Sequence, residues 1–211
     1  MRNKFRRLCI VSGAVLIFAA LCLCVFNINE SRTAAKRSQS ALSQLRTVIE
    51  KPTVSTQAAD NAEEEDIFAQ YEEPAPAEMP TVTLNDTGYC GYLTISELGL
   101  ELPVIDDFSY GALNTAPCRY SGSTDGNDLI IAAHNFSSHF GRLGSLSDGA
   151  EIVFTDCSGR AFHYNIISIE EIRDNDVEAM LCKDDTPWDM TLFTCTLSGR
   201  SRITIRAKLT Y

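Results

Sequence analysis

The 211-residue sequence predicts a mainly β domain, a β-barrel of seven or eight strands with short helices in its connections, preceded by one N-terminal transmembrane helix. Three observations carry this expectation. The chain opens with a long uncharged apolar run. From residue 88 onward, short apolar or alternating segments recur between turn residues, the spacing of an all-β sandwich or barrel. No strand–helix rhythm, internal repeat or Gly-rich phosphate loop interrupts them.

Taken in order, Arg2, Lys4, Arg6 and Arg7 form a basic tail over residues 1–7, and residues 8–28 contain no charge. At about 1.5 Å per residue, that run covers the roughly 30 Å hydrocarbon core of a bilayer. A secretory signal has a shorter apolar region with small residues at its end. Here Thr33-Ala34-Ala35 lies well past the run, and Cys22 and Cys24 each follow a leucine, unlike a lipoprotein cleavage site. The expectation is an uncleaved single-span anchor. The density of basic residues before it places the N-terminus in the cytoplasm and the C-terminal body outside, although Arg32, Lys36 and Arg37 follow the span.

Residues 29–51 read as a helical stalk, with Ala41, Leu42, Leu45, Val48 and Ile49 at helical spacing and Pro52 as its stop. Residues 52–87 hold four of the seven prolines, nine acidic residues and no Lys or Arg. Such a segment buries too little apolar surface to offset its ordering entropy, so it reads as a disordered linker. It also explains the charge. The first 51 residues carry +7, the linker −9 and residues 88–211 −8, within a net −10. With no basic patch in the folded part, nucleic acid is excluded as a partner.

Within the domain at 88–211, residues 91–95 and 100–105 read as strands flanking a Leu98-Gly99 turn. The continuous apolar run 128–133 reads as a strand buried on both faces. Residues 151–155 and 161–169 follow as strands around a Ser158-Gly159 turn. Short helical interruptions are expected near 107–113, 139–146 and 176–182, the last capped by Asn175 or Asp176.

The closing segment carries the chemistry. Thr191-Leu-Phe-Thr-Cys195 and Arg202-Ile-Thr-Ile-Arg-Ala207 read as two strands around a two-residue Ser198-Gly199 turn. That turn pairs Leu197 with Arg200, Thr196 with Ser201 and Cys195 with Arg202. Directly opposed residues share a face with Cβ atoms roughly 5 Å apart. A thiol then sits beside a guanidinium, and a neighbouring cation favours the reactive thiolate. Arg200 faces the same way but opposes Leu197. As an isolated fragment, the hairpin fits a buried Cys and a surface Arg at least as well.

Of the three histidines, His134 follows the apolar strand where a loop begins, well placed at a barrel mouth to meet a Cys from a neighbouring strand. His163 sits inside an alternating strand, in a packed or surface role, and His139 caps or joins a short helix. Metal ligation competes poorly: His134 and His139 are five residues apart and no Cys-x-x-Cys pair exists. Cys9, Cys22 and Cys24 lie in the span as small apolar residues. Outside it, Cys90, Cys118, Cys157, Cys182 and Cys195 are odd in number, so at least one has no disulfide partner in the domain. The sequence assigns no pairing among the other four.

With these residues on the page, the chain resembles the sortases, membrane-anchored cysteine transpeptidases of Gram-positive bacteria. The resemblance rests on Thr191-Leu-Phe-Thr-Cys195 with Arg202 seven residues on, and on Leu129-Ile-Ile-Ala-Ala-His134-Asn135. It extends to Phe140-Gly-Arg-Leu-Gly-Ser-Leu146 and the opening strands Gly91-Tyr-Leu-Thr-Ile95 and Leu102-Pro103-Val104-Ile105. It covers roughly residues 88–211 in the right order. One departure is Ala133, where the family usually has Gly before the His. The short Cys–Arg connection is similar to class B or pilin-type members.

The resemblance implies a closed sortase-like barrel, Cys195 as nucleophile, His134 as acid/base and Arg202 as the electrophilic partner. The substrates it implies are surface proteins or pilins bearing a Leu-Pro-x-Thr-Gly-like sorting motif. The acceptor is an amine of a peptidoglycan precursor or a pilin lysine. No cofactor and no metal are implied. Thr194 either shapes the site beside Cys195 or favours the strand. Asn135 either orients His134 or satisfies its own loop, and residues 117–126 with Tyr120 either line a substrate groove or form a surface loop. Two other classes stand beside this reading: a cysteine peptidase with water as acceptor, and a catalytically silent membrane-tethered binding module.

Overall fold

The computed structural model describes residues 2–50, 79–173, 175–176, 178–181 and 186–210. Residues 52–78 of the expected linker 52–87, with Lys51, Cys182 and Tyr211, lie outside the described residues. Helix α1 spans Arg2–Glu50. Nine strands follow: β1 Val82–Leu84, β2 Thr87–Ile95, β3 Leu100–Ile105, β4 Cys118–Ser121, β5 Leu129–Ala133, β6 Glu151–Asp156, β7 Ala161–Arg173, β8 Met190–Cys195 and β9 Ser201–Thr210. Single 3₁₀ turns sit in the connections at Ser96–Leu98, Ala112–Asn114, Leu143–Ser145 and Glu178–Met180. The last is capped by Asp176, whose Oδ1 accepts the Ala179 N–H at 3.3 Å.

Eight strands close a ring in the order β2–β3–β4–β5–β8–β9–β7–β6, with β6 returning to β2 through Gly91 to Thr94. Closure removes most of the free edge that an open sheet of this size would expose, leaving one weak seam at the single Ile105–Cys118 pair between β3 and β4. Gly91 is required at the seam. A Cβ there would lie 2.2 Å from the Thr155 carbonyl oxygen and 2.8 Å from the Phe154 ring.

Two segments differ from the sequence reading. Within the stretch assigned to the linker 52–87, Val82–Leu84 folds back on β2 as a hairpin. Its turn residues Asn85 and Asp86 have φ of 48° and 63°, the left-handed pair of a type I′ turn whose twist matches the flanking strands. The second is Cys118–Ser121, read as a groove or loop. It is strand β4, lying antiparallel to β5 and touching β3 at one parallel pair, Ile105 and Cys118. Four residues with one irregularity in register carry too little alternation to be seen.

The barrel interior is filled from every strand of the ring except β4, with Leu93, Ile95, Ile131, Phe154, Tyr164, Leu192 and Ile205 among its buried side chains. Burial of a large apolar side chain stabilises by about 1.5–3 kcal/mol. All five residues of β5 are buried: Leu129, Ile131 and Ala133 join the interior, and Ile130 and Ala132 a second cluster on the other face.

Helix α1 contributes to that second cluster through Leu45. Its stripe of Ala34, Ser38, Leu42 and Leu45 is buried, one face of a helix at i, i+4, i+8 and i+11. The Arg46 guanidinium pairs with the Glu101 carboxylate on β3 and lies 5.1 Å over the Tyr92 ring. The helix therefore covers β3, whose far edge is almost unpaired and which carries Pro103, a residue without an N–H to donate. The stalk's apolar stripe is thus covered by the barrel itself.

Candidate active site

The site is assembled by three adjacent strands. Strands β5 and β8 run parallel in continuous register, Leu129 opposite Met190 through to Ala133 opposite Thr194. His134 and Cys195 are each the next residue, so the two emerge together at one end of the barrel, across a strand spacing of about 4.8 Å. Strand β9 then runs antiparallel to β8 and sets Arg202 opposite Cys195. His134, Cys195 and Arg202 line one cavity of about 240 Å³, with Thr194 and Ala133 beside them.

The hairpin differs from expectation in its turn and agrees in its register. The Thr196 N–H donates to the Ser201 carbonyl and the Gly199 N–H to the Thr196 carbonyl, both at 3.0 Å. The connection is therefore a loop from Leu197 to Arg200, with Gly199 at φ 72°, and Leu197 and Arg200 leave the ladder. Lengthening the loop by one residue on each strand preserves every pair below it. The Arg202 guanidinium is held by the turn, donating through Nη1 to the Gly199 and Ser201 carbonyls at 3.1 Å each.

Thr194 is buried, and its hydroxyl donates to the Ala133 carbonyl at 2.8 Å. This bond fastens the end of β8 to the end of β5 one residue before both Cys195 and His134. Ala133 is itself buried, its methyl part of the apolar barrel interior. Thr194→Val, which keeps the shape and removes the donor, is expected to lower unfolding stability by about 1 kcal/mol, read from a denaturant midpoint.

Asn135 is not brought to this cavity. It lines another with Phe136, Ser137 and Leu197, and its own carbonyl is crowded by Gly141, where a Cβ would come within 2.3 Å. The loop is a compact knot. The His139 and Gly141 N–H groups both donate to the Phe136 carbonyl at 2.9 Å, and Phe140 N–H to His134 carbonyl at 3.2 Å. That gives a physical reason for Gly141 in the Phe140-Gly-Arg motif.

The cavity wall was only partly foreseen. Tyr120 lines it as one of the two sequence readings had it, and stacks edge-on with Phe108 at 5.1 Å and Phe193 at 5.4 Å. Phe108 and Tyr110 lie in an irregular connection without periodicity. Phe193 alternates with Leu192 along β8, and that signal marks it as facing away from the interior.

Burial lowers the pKa of His134, while the Glu30 carboxylate on α1 pulls it partly back. His139 lies behind, its ring 5.6 Å from Phe136, which in turn is 5.0 Å from His134. His139 is fully buried, and neither ring nitrogen has a hydrogen-bond partner among the described residues. Burial first, then the neighbouring His134, pushes its pKa down to about 4. It does not cap a helix. His163, by contrast, is half-exposed and pairs with Glu151 at 2.8 Å.

A histidine held neutral in the fold is free to protonate when unfolded. Above the unfolded value near 6.5 its titration contributes nothing. As pH falls from there through about 4, the unfolded chain takes up the proton first, and stability declines by about 3 kcal/mol in all. Chemical melts of the wild type and His139→Leu at pH 7 and pH 4.5 check this. The variant is expected to lose much less stability on acidification, and equal losses would refute it.

The sequence model of the Sortase domain matches residues 93–210, more than half of the chain. No curated protein matches in sequence. Among solved structures, a Clostridium perfringens sortase D5 transpeptidase superposes with a TM-score of 0.52 at 22% identity, covering 58% of this chain and 79% of that one. A lid mutant of sortase A from Corynebacterium diphtheriae gives 0.53 at 17%, covering 59% and 72%. Clostridium perfringens sortase C, solved with the C-terminal cell wall sorting motif, gives 0.51 at 19%, covering 58% and 71%. At such identities these likenesses establish the fold, and the three classes fit it almost equally. A closed eight-stranded barrel and a Sortase-domain match over most of that barrel agree: the chain belongs to the sortase family.

Proposed function

We propose that this sortase cleaves a Leu-Pro-x-Thr-Gly-like sorting motif through a Cys195 thioester and passes the acyl group to an amine. The observation that carries the reading is the convergence of His134, Cys195 and Arg202 from three neighbouring strands on one cavity. The Cys195 thiolate attacks the threonine carbonyl carbon. The guanidinium of Arg202 faces the oxygen on which negative charge develops, where a fixed donor is most effective. As the C–N bond breaks, protonated His134 gives its proton to the leaving amine. Burial makes that imidazolium a stronger acid than a free one. The acceptor amine then attacks the thioester, His134 takes its proton, and the Cys195 thiolate leaves.

The aromatic wall of Phe108, Tyr120 and Phe193 offers an apolar surface for the motif's Leu and Pro. The sortase C solved with a cell wall sorting motif supports this class of substrate. The acceptor in this reading is a peptidoglycan-precursor amine or a pilin lysine, and the short Cys–Arg connection favours a class B-like or pilin-type member. The helix over residues 8–28 anchors the chain in the membrane with the barrel outside. Among the described residues one helix is long and apolar enough to cross a bilayer, with none of its apolar window buried by protein.

Intact mass spectrometry of the protein with Leu-Pro-x-Thr-Gly and Asn-Pro-x-Thr peptides tests the reading. An adduct equal to the peptide up to its threonine is expected, resolved by added amine into a ligated product. Adduct decay at the same rate with and without amine would make it a peptidase. No adduct on Cys195 with any peptide would overturn the proposal.

A further inference from the structure

We propose that the tip of the β8–β9 hairpin, Leu197 to Arg200, docks into the lipid surface from which α1 emerges. The Cys195 cavity would then open at the level of the phospholipid headgroups. The inference rests on reading residues 8–28 as a membrane span. It begins from the continuity of α1, an unbroken helix from Arg2 to Glu50. The large apolar side chains between Ile10 and Ile28 are 52–70% exposed to the surroundings, the condition of a helix whose solvent is lipid. Beyond Ile28 the same helix is fixed to the barrel. Ala34, Ser38, Leu42 and Leu45 are buried, Arg46 pairs with Glu101, and the Ser138 hydroxyl donates to the Ser31 carbonyl at 3.2 Å. A helix that spans the membrane and is also packed on the barrel dictates which end of the barrel meets the bilayer.

That end is the hairpin tip. Asn27, Ile28, Ser31 and Arg32 of α1 line one cavity together with Leu197 and Phe136. Leu197 therefore sits level with the last apolar residues of the span. It is 98% exposed. A single exposed leucine is ordinary on a soluble surface; here its position gives it an occupant. Arg200 is exposed in the same loop, and Arg32 is exposed on the facing helix. Two guanidinium groups beside an apolar tip match the anionic headgroup layer above an acyl interior. The opposite end of the barrel is far away: Gly159 packs near Ile49, about 30 Å up the helix axis from Ile28 at 1.5 Å per residue. Because the tip joins Cys195 to Arg202, docking holds the rim of the cavity at the level of the headgroups.

The test uses the full chain in vesicles of phosphatidylcholine with phosphatidylglycerol. Trp188 is the only tryptophan, packed 4.4 Å from the Arg206 guanidinium, and gives the baseline. Leu197→Trp adds a reporter at the tip, and Val48→Trp one on the exposed face of α1 at its far end. Flotation with the vesicles first reports the anchor. With lipids brominated on the acyl chain, Leu197→Trp is expected to shift to the blue and lose about half of its added emission, as for a side chain at about 5–10 Å depth. Val48→Trp is expected to remain unquenched. A floating protein whose Leu197→Trp emission is unquenched overturns the docking while leaving the anchor intact. Failure to float overturns both, and neither outcome depends on the transpeptidase reading.

Discussion

Cys195→Ala is expected to bring turnover of a sorting-motif peptide down by on the order of 10⁶-fold, to the level of the uncatalysed background. The loss is this large because the cavity holds no substitute. The hydroxyls of both its sequence neighbours are already committed, Thr194 to the Ala133 carbonyl and Thr196 to the Ser201 carbonyl. Stability is expected to change little, since Cys195 lies only partly buried at the end of β8 and belongs to neither apolar cluster. The substitution separates nucleophile from scaffold, and turnover above about one per cent of wild type would remove Cys195 from the mechanism.

The same site allows a chemical cross-check. Cys22, Cys24, Cys90, Cys118, Cys157 and Cys195 are all free of disulfides. In the barrel, burial pushes Cys118 up to about 11 and Cys157 up to about 12, and raises Cys90 as well. Thiolate is the form that reacts. At neutral pH a thiol-directed alkylator is therefore expected to modify Cys195 ahead of these three, with the label located by peptide mapping.

Arg202→Ala is expected to lower kcat by about 10²–10³-fold, equivalent to about 3–4 kcal/mol of transition-state stabilisation, with a smaller change in KM. Arg202 stands opposite Cys195 in the ladder, and the turn anchors its Nη1 through the Gly199 and Ser201 carbonyls, so the side chain is held at the cavity before substrate arrives. A donor already in place is worth most where charge develops only in the transition state. Arg202→Lys keeps the charge and loses the planar fork that engages turn and oxyanion together, so partial recovery is expected. Arg200→Ala is the control. Arg200 lies in the exposed loop outside the ladder, and turnover of a soluble peptide is expected within about twofold of wild type. If Arg200→Ala and Arg202→Ala lost equal activity, general electrostatics would replace the directed role.

What was legible in the sequence is what local physics controls. The runs at 100–105, 128–133 and 151–155 became strands close to their expected bounds, because apolar content and flanking turn residues act over a few residues. The Cys195–Arg202 pair was readable for the same reason. Hairpin register depends on the loop between two neighbouring segments, and a loop longer by one residue on each side preserves it. The turn itself was misread, since a Ser-Gly pair is compatible with more than one loop length. Strands β1 and β4 were missed: three and four residues are too few for a period to declare itself.

By itself, then, the sequence determined the long apolar N-terminal helix, the β class, the Cys195–Arg202 hairpin and His134 at a strand end. The tertiary structure alone decided that His134 and Cys195 meet. That meeting depends on a parallel pairing of β5 with β8 across 61 residues of chain, and parallel neighbours carry no turn whose chemistry announces them. It alone decided that Asn135 faces another cavity, that Phe108, Tyr120 and Phe193 form one wall, and that Ala34, Ser38, Leu42 and Leu45 close against the barrel. A stripe on a helix shows only that something covers it. Which surface does so is settled when the chain closes on itself, by contacts whose partners lie far apart in sequence.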